Sequence, residues 1–371
     1  MPVRFCLLSL MLAILLCGAA RGQFSAPPAD RADDDKKPAE AAEPPVKPIA
    51  QGQPHRAKVD ELPAPELPEA ARTPDGGGVL QCRRGMVIKA EGGGFRDIVG
   101  SMAIPADLPG EQKVRVVNED LPRGATVRYK TLEDFTRQMV IAMPSLTAGK
   151  EVRAVVTFEV EVLPPAAIPP DAAEFTVPAT AKTDRKLAQY LAPSPLIESN
   201  NAAVRGLADE IAGDKAGTWE KLRAIHAWVY ENIKFEMPKE LGRQGCPKTI
   251  EKRSGVCAEK NSLAVALLRA SQIPARMVRV ASTAKFEHCY YEFCLAGKDG
   301  TETWFAGDAS ATAALQPRLG SQGHVILQKG DNLLVQNPKG KTKSKQRFLE
   351  TTLSGMPRSP NAQLKLEMIG Q

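Results

Sequence analysis

The sequence predicts an α+β protein in which a β-sandwich-like domain precedes a domain of helices and sheet. Three observations carry this. From Val79 to about Val162, short apolar runs alternate with turns bearing Gly and Pro. From Asn201 onward, apolar residues recur at helical spacing. From Ile273 to Ala306, strand patterns return around a Gly-Lys-Asp-Gly turn.

Residues 1–22 read as a secretory signal. Met1 to Arg4 is a short positive region, Phe5 to Cys17 is an uncharged apolar run, and Gly18 to Gln23 supplies small residues for cleavage. The run is too short for a membrane span. Cys17 stands where a lipidation cysteine would, but Leu16 occupies the preceding position, where a small residue is wanted. Residues 23–78 read as a disordered Pro/Ala-rich tether. Phe24 to Gly78 holds 11 of the chain's 30 prolines, almost no aromatics and no apolar period, so it cannot bury enough surface to offset chain entropy.

Residues 79–178 form the expected β-rich domain. Its strands are marked by Met86-Val87-Ile88, Asp97-Ile98-Val99, Val114 to Val117, Thr126 to Tyr129, Met139 to Met143 and Val152 to Val162. In the last, Val152, Ala154, Val156, Phe158, Val160 and Val162 share one face, opposite Arg153, Thr157, Glu159 and Glu161. That alternation marks an antiparallel sheet with one wet side, and a set of such strands suggests a small sandwich. Leu163 to Pro178 is Pro-rich and reads as a hinge.

Residues 184–320 form the second domain, and 321–371 a C-terminal extension. Val204, Leu207, Ala208 and Ile211 make one helical stripe; Ile225, Trp228, Val229 and Ile233 make another, with Thr218 as its N-cap. His226 lies beside that stripe and reads as solvated. Asn261 to Ala270 is a buried helix, stopped by Pro274. His288 to Leu295 and Thr303 to Ala306 form a hairpin. A loop centred near Lys298 sets His288 opposite Asp308; a two-residue Asp299-Gly300 turn leaves them offset. Glu292 shares the His288 face but lies four residues along, about 13 Å, too far for contact.

The net charge of +6 is modest and does not argue for nucleic acid. The basic tract Lys339, Lys341, Lys343, Lys345 and Arg347 reads as a solvated edge, or as contact with an anionic cell-envelope polymer. The chain past the signal keeps Cys82, Cys246, Cys257, Cys289 and Cys294. An odd count in an exported protein fits one functional thiol with up to two bridges. Cys289 and Cys294 fall on opposite strand faces and do not pair. His288, Cys289 and Cys294 match no zinc-site spacing, so neither metal nor cofactor is expected.

The chemistry concentrates on Cys257, which opens the buried helix. A thiol there meets the positive end of the macrodipole, which favours the thiolate. His288 follows 31 residues later and Asp308 another 20. Thiol, imidazole and carboxylate are the parts of a nucleophile, its base and an orienting acid.

Four segments resemble the transglutaminase-like family. They are the helix Ile225-His226-Ala227-Trp228-Val229-Tyr230 with its continuation to Phe235, the turn Arg253-Ser254-Gly255-Val256-Cys257, the phrase Leu267-Leu268-Arg269-Ala270-Ser271-Gln272-Ile273-Pro274-Ala275-Arg276, and His288 with Trp304-Phe305-Ala306-Gly307-Asp308. Ile326 to Asn332 is similar to a stretch of bacterial exported members. The resemblance spans roughly Trp219 to Ser310, a quarter of the chain. Where the family usually has His-Ala-Trp, this chain has His288-Cys289-Tyr290. The resemblance implies a transglutaminase-like, papain-like cysteine-peptidase fold and a catalytic set of Cys257, His288 and Asp308. It implies an exported enzyme acting on protein or peptide amide bonds, by acyl transfer to an amine or by hydrolysis. A non-catalytic envelope-binding or scaffolding protein that keeps the fold is the alternative; an amidase on non-protein amides is a third.

Overall fold

The computed structural model describes residues 77–133, 135–237, 244–281, 287–318, 320, 323–336 and 343–370. The signal segment, nearly all of the tether, and Lys339 and Lys341 of the basic tract lie outside the described residues. All described residues fall in one compact unit, Pro54–Gln371.

The first half is the expected sandwich. Its strands are β1 (Gly78–Glu91), β2 (Phe95–Ile104), β3 (Gln112–Asp120), β4 (Thr126–Thr131), β5 (Arg137–Leu146) and β6 (Glu151–Val162). Two further strands, β15 (Thr352–Pro357) and β16 (Gln363–Gly370), come from the C-terminal extension. One antiparallel sheet runs β16-β1-β6-β3 and the other β15-β2-β5-β4. The inward residues of the two sheets interleave: Met86, Ile88, Met102, Ile104, Met139, Ile141 and Phe158 are each below 2% exposed. Each such side chain contributes about 1.5–3 kcal/mol on burial. The extension thus returns to the start of the fold, pairing Ile88 with Leu366 and Ser101 with Thr352. Alternating Leu364, Leu366 and Met368 carry a strand period, but a local pattern cannot name a partner strand so far away in sequence.

The second half is the mixed domain. Its helices are α1 (Arg185–Ala188), α2 (Ala202–Ala212), α3 (Thr218–Asn232), α4 (Cys246–Lys252) and α5 (Cys257–Ala270). Val204, Leu207 and Ala208 of the α2 stripe are buried, as are Ile225 and Val229 of α3. The N-cap of α3 is Gly217, one residue before the expected Thr218, and its N–H donates to Glu220 Oε2 at 3.2 Å. The glutamate three residues into the helix satisfies the cap from the other side, so Thr218 becomes the first helical residue.

Helix α5 is buried along nearly its whole length, including Glu259, Lys260, Asn261, Ser262 and Arg269. Lys260 Nζ donates to the carbonyls of Tyr230 (3.1 Å) and Ile233 (2.6 Å), satisfying the C-terminal turn of α3. Against α5 packs an antiparallel sheet ordered β11-β10-β9-β12, from β9 (Ala275–Ala281), β10 (His288–Ala296), β11 (Glu302–Gly307) and β12 (Val325–Lys329). Cys289, Tyr291, Phe293 and Leu295 of β10 turn toward the helices and join their core. On the opposite face Glu292 is held by Arg276 (2.8 Å) and Lys329 (2.6 Å), and Lys329 also bonds Glu111 at 2.6 Å. Two short pairs complete the set: β7 (Lys234–Phe235) runs parallel to β8 (Ser254–Gly255), and β13 (Leu333–Gln336) pairs with β14 (Lys343–Gln346).

Candidate active site

Cys257 is placed by the β7–β8 pair and the turn that follows it. Arg253 ends α4 in the left-handed region (φ 54°), and its guanidinium lies 4.8 Å from the Trp228 ring centre. The chain then passes through Ser254 and Gly255 and enters α5 at Cys257. Val256 is the N-cap, and its N–H donates to Glu259 Oε2 at 3.2 Å. Cys257 is therefore the first residue of the helix. Its own N–H is one of the first-turn donors that lack an intrahelical acceptor.

His288 begins β10 and Asp308 follows directly on β11. The ladder pairs Ala296 with Glu302 and Tyr291 with Gly307, so the loop is centred on Asp299 and Asp308 stands beside Tyr290. His288 and Asp308 are offset, but the loop Lys298 to Gly300, closed by the Gly297 N–H to the Thr301 carbonyl at 3.1 Å, sets the register in place of a two-residue Asp299-Gly300 turn. The two side chains still meet on the diagonal: His288 Nε2 lies 2.6 Å from Asp308 Oδ2. Gly307 makes room for the neighbouring ring, since a Cβ there would stand 2.7 Å from the Tyr291 ring and hydroxyl.

Asp308 is held from its other side. Its Oδ1 accepts from Asn261 Nδ2 (2.9 Å), Ser310 N (2.9 Å) and Ser310 Oγ (2.6 Å). Burial works to raise its pKa, but the His288 charge and these bonds hold the carboxyl well below the usual range. Burial likewise works against a charged His288, yet Asp308 and a hydrogen bond with Cys257 raise its pKa to about 10. With Nε2 given to Asp308, Nδ1 is the ring nitrogen left for the thiol. Cys257 is drawn well below the ordinary thiol value by a hydrogen bond from Cys289 and by His288, against the opposing effect of burial. Cys289 moves the other way, raised by its interaction with Cys257 and by burial, so it stays a thiol.

Cys257, His288 and Asp308 are thus brought together. Asn261 and Ser310 join them without having been singled out in the sequence, and so does Cys289, which the sequence marked only as a departure from the family pattern and a poor zinc ligand. Asn261 left a faint signal as a polar residue inside an apolar helix, and Cys289 left one at the position where the chain departs from His-Ala-Trp. His226 is not solvated: it is 1% exposed, with Nδ1 2.7 Å from Tyr291 Oη and Nε2 2.9 Å from the Thr312 carbonyl. The carbonyl can only accept, so Nε2 carries the proton and Nδ1 accepts from the tyrosine. The stripe of α3 is wide enough to take this polar residue into the core because Tyr291 and Thr312 satisfy it. All five cysteines among the described residues carry free thiols, so no bridge forms among them. Among them, too, no cluster of three or more His, Cys, Asp or Glu side chains is arranged to hold a metal ion.

Residues 205–309 match the model of the transglutaminase-like superfamily. No curated protein matches the chain. Among solved structures, a candidate cysteine protease from Cytophaga hutchinsonii is 18% identical with a TM-score of 0.51, over 78% of this chain and 93% of that one. This likeness is one of fold. The periplasmic domain of TgpA from Pseudomonas aeruginosa is 14% identical with a TM-score of 0.30, over 61% of this chain and 87% of that one. With Cys257 opening α5 and His288 meeting Asp308 across the β10–β11 hairpin inside the matched residues, the chain carries a transglutaminase-like domain.

Proposed function

We propose that this protein is a cysteine enzyme acting on protein or peptide amide bonds, with Cys257 as nucleophile, His288 as acid and base, and Asp308 as the orienting carboxylate. The observation that carries the reading is the His288 Nε2 to Asp308 Oδ2 bond at 2.6 Å, beside a Cys257 that opens a helix and whose pKa the same imidazole helps to lower. The apolar run Phe5 to Cys17 supports action outside the cytoplasm. No described helix is long and apolar enough to cross a membrane.

The chemistry follows from the groups. The Cys257 thiolate attacks the carboxamide carbon, and the Cys257 N–H faces the developing oxyanion; one such donor is typically worth about 3 kcal/mol. The protonated His288 gives its Nδ1 proton to the leaving amine as the C–N bond breaks. Asp308 keeps the ring in the tautomer and orientation this requires. The resulting thioester is resolved by an amine, giving a new amide, or by water, giving the acid. In either case His288 takes the proton from the attacking group and Cys257 leaves as thiolate.

Alkylation by iodoacetamide between about pH 5 and 9, read by mass at each cysteine, tests this. Cys257 should react well below the pH at which an ordinary thiol ionises, and His288→Ala should remove that reactivity. Inert Cys257 in a folded protein replaces the reading with a non-catalytic binding protein. A labelled primary amine offered with a glutamine-bearing peptide then separates the two outcomes: incorporation means transfer, ammonia release alone means hydrolysis.

A further inference from the structure

We infer that Asn261 is a positioning residue for the reaction: its one amide ties the helix of Cys257 to the strand of His288 and fixes which Asp308 oxygen faces the imidazole. This rests on the chemistry proposed above. Asn261 sits four residues after Cys257, one turn along the same face of α5. It is fully buried. Its Nδ2 donates to the Cys289 carbonyl (2.8 Å) and to Asp308 Oδ1 (2.9 Å), and its Oδ1 accepts from the Ala309 N–H at 2.9 Å. Both amide hydrogens are used, one on the residue after His288 and one on Asp308, and the oxygen takes the residue after Asp308.

The orientation of this amide is not interchangeable. Flipped, its oxygen would face the Cys289 carbonyl and the Asp308 carboxylate, three acceptors with no hydrogen among them, while its NH2 would face the Ala309 N–H. Only an asparagine amide in the observed sense satisfies all three partners. Together with Ser310 it occupies Asp308 Oδ1, which leaves Oδ2 to His288. Without it the carboxylate loses a donor that favours its ionised form, and its plane is no longer fixed relative to the ring. The effect then passes from Asp308 to His288 and from His288 to the thiolate.

Asn261→Ala and the milder Asn261→Ser, which leaves room for a water, test this by the pH profile of Cys257 alkylation beside the melting temperature. A residue that only braces the fold lowers the melting temperature and leaves the alkylation midpoint alone. The expected result is an upward midpoint shift of about one pH unit or more in Asn261→Ala, and a smaller one in Asn261→Ser. Should alanine fail to fold, serine carries the comparison. A folded variant with the wild-type midpoint overturns the inference. His288→Ala is run alongside: if it too keeps the wild-type midpoint, the proposed triad chemistry fails and takes the inference with it, whereas a shift in His288→Ala alone isolates the failure to Asn261.

Discussion

Arg84 on β1 of the sandwich reaches across to Glu287, the residue before His288, with Nη2 2.6 Å from Oε1. Arg279 of β9 holds the other carboxylate oxygen, and Arg84 also gives Nε to the Ala103 carbonyl at 3.2 Å. Burial works to raise the Glu287 pKa, but the two guanidiniums keep the carboxyl below its ordinary value. The sandwich therefore helps fix the entry to β10, and with it the imidazole. Arg84→Met keeps the apolar stem and removes the bond. It should cost about 1–3 kcal/mol in urea unfolding, because a buried carboxylate loses one of its two cations, and it should slow Cys257 alkylation. Unchanged alkylation with lowered stability would confine the pair to holding the sandwich against the sheet of β9 and β10.

The Cys257–His288 pair sets a pH window for stability. Ordinary values are 6.5 for the imidazole and 9.0 for the thiol. In the fold the imidazole is raised to about 10 and the thiol is lowered. Between about pH 6.5 and 9 the unfolded pair carries its one proton on sulfur and the folded pair carries it on nitrogen, so proton counts match and the pair adds no slope. Below that range the unfolded imidazole binds a proton before the folded thiolate does, and stability falls with falling pH. Between 9 and 10 the unfolded thiol has lost its proton while the folded imidazolium keeps its own, and stability falls with rising pH. Melting temperature should therefore form a plateau over about pH 6.5–9. Cys257→Ser removes the low-pKa partner and should change the shape of that plateau; an identical profile for the two proteins would refute the ion pair.

Arg269 and Asp331 meet in a fully buried bidentate pair, at 2.9 and 2.8 Å. Every donor on that guanidinium is engaged: Nε with the Ala275 carbonyl, Nη1 with the Ala192 carbonyl and Ser194 Oγ. Asp331 Oδ2 also accepts the Met277 N–H. Asp331→Ala leaves a buried cation without its counter-charge and should cost about 3–5 kcal/mol, measured by urea unfolding. Replacing both residues together, Arg269→Met with Asp331→Leu, should recover much of that loss. If the double variant is no better than the single one, the aspartate's work lies with the Met277 N–H and with the Ser194 hydroxyl, which donates to Oδ1 at 2.6 Å.

The same pair shows where the sequence was legible. Arg269 and Asp331 each lie in a segment that carries a resemblance, and the fold puts one on a helix and one after a strand, yet nothing local joins them. Elements with a strong period were readable: the Val152–Val162 alternation and the α2 and α3 stripes formed as expected, since burial of one face dictates them. That Cys257, His288 and Asp308 stand together is legible in their spacing and neighbours, which carry a resemblance. Long-range pairing was not. β15 and β16 return to the first sheets, His226 is drawn into the core by Tyr291, and Asn261 and Ser310 close around Asp308. Each depends on partners supplied by the tertiary fold, which neither propensity nor period encodes.

Cys289 occupies the position after His288, and its interaction with Cys257 together with burial raises its pKa, so a neutral thiol stands beside the nucleophile as a candidate donor. A neutral donor to a thiolate favours the charged form, as a donor to a carboxylate does. Cys289→Ala removes the donor with little change in volume and should raise the midpoint of Cys257 alkylation. Cys289→Ser supplies a stronger O–H donor on a smaller group and should hold the midpoint near that of the wild type. The measurement is clean because Cys289 is 5% exposed and should stay unlabelled until the chain unfolds, so mass at the Cys257 peptide reports one thiol alone. If alanine leaves the midpoint in place, the imidazole by itself sets the thiolate, and Cys289 is a packing residue that happens to carry sulfur. If alanine raises it and serine restores it, the thiol beside the nucleophile is part of what makes it reactive.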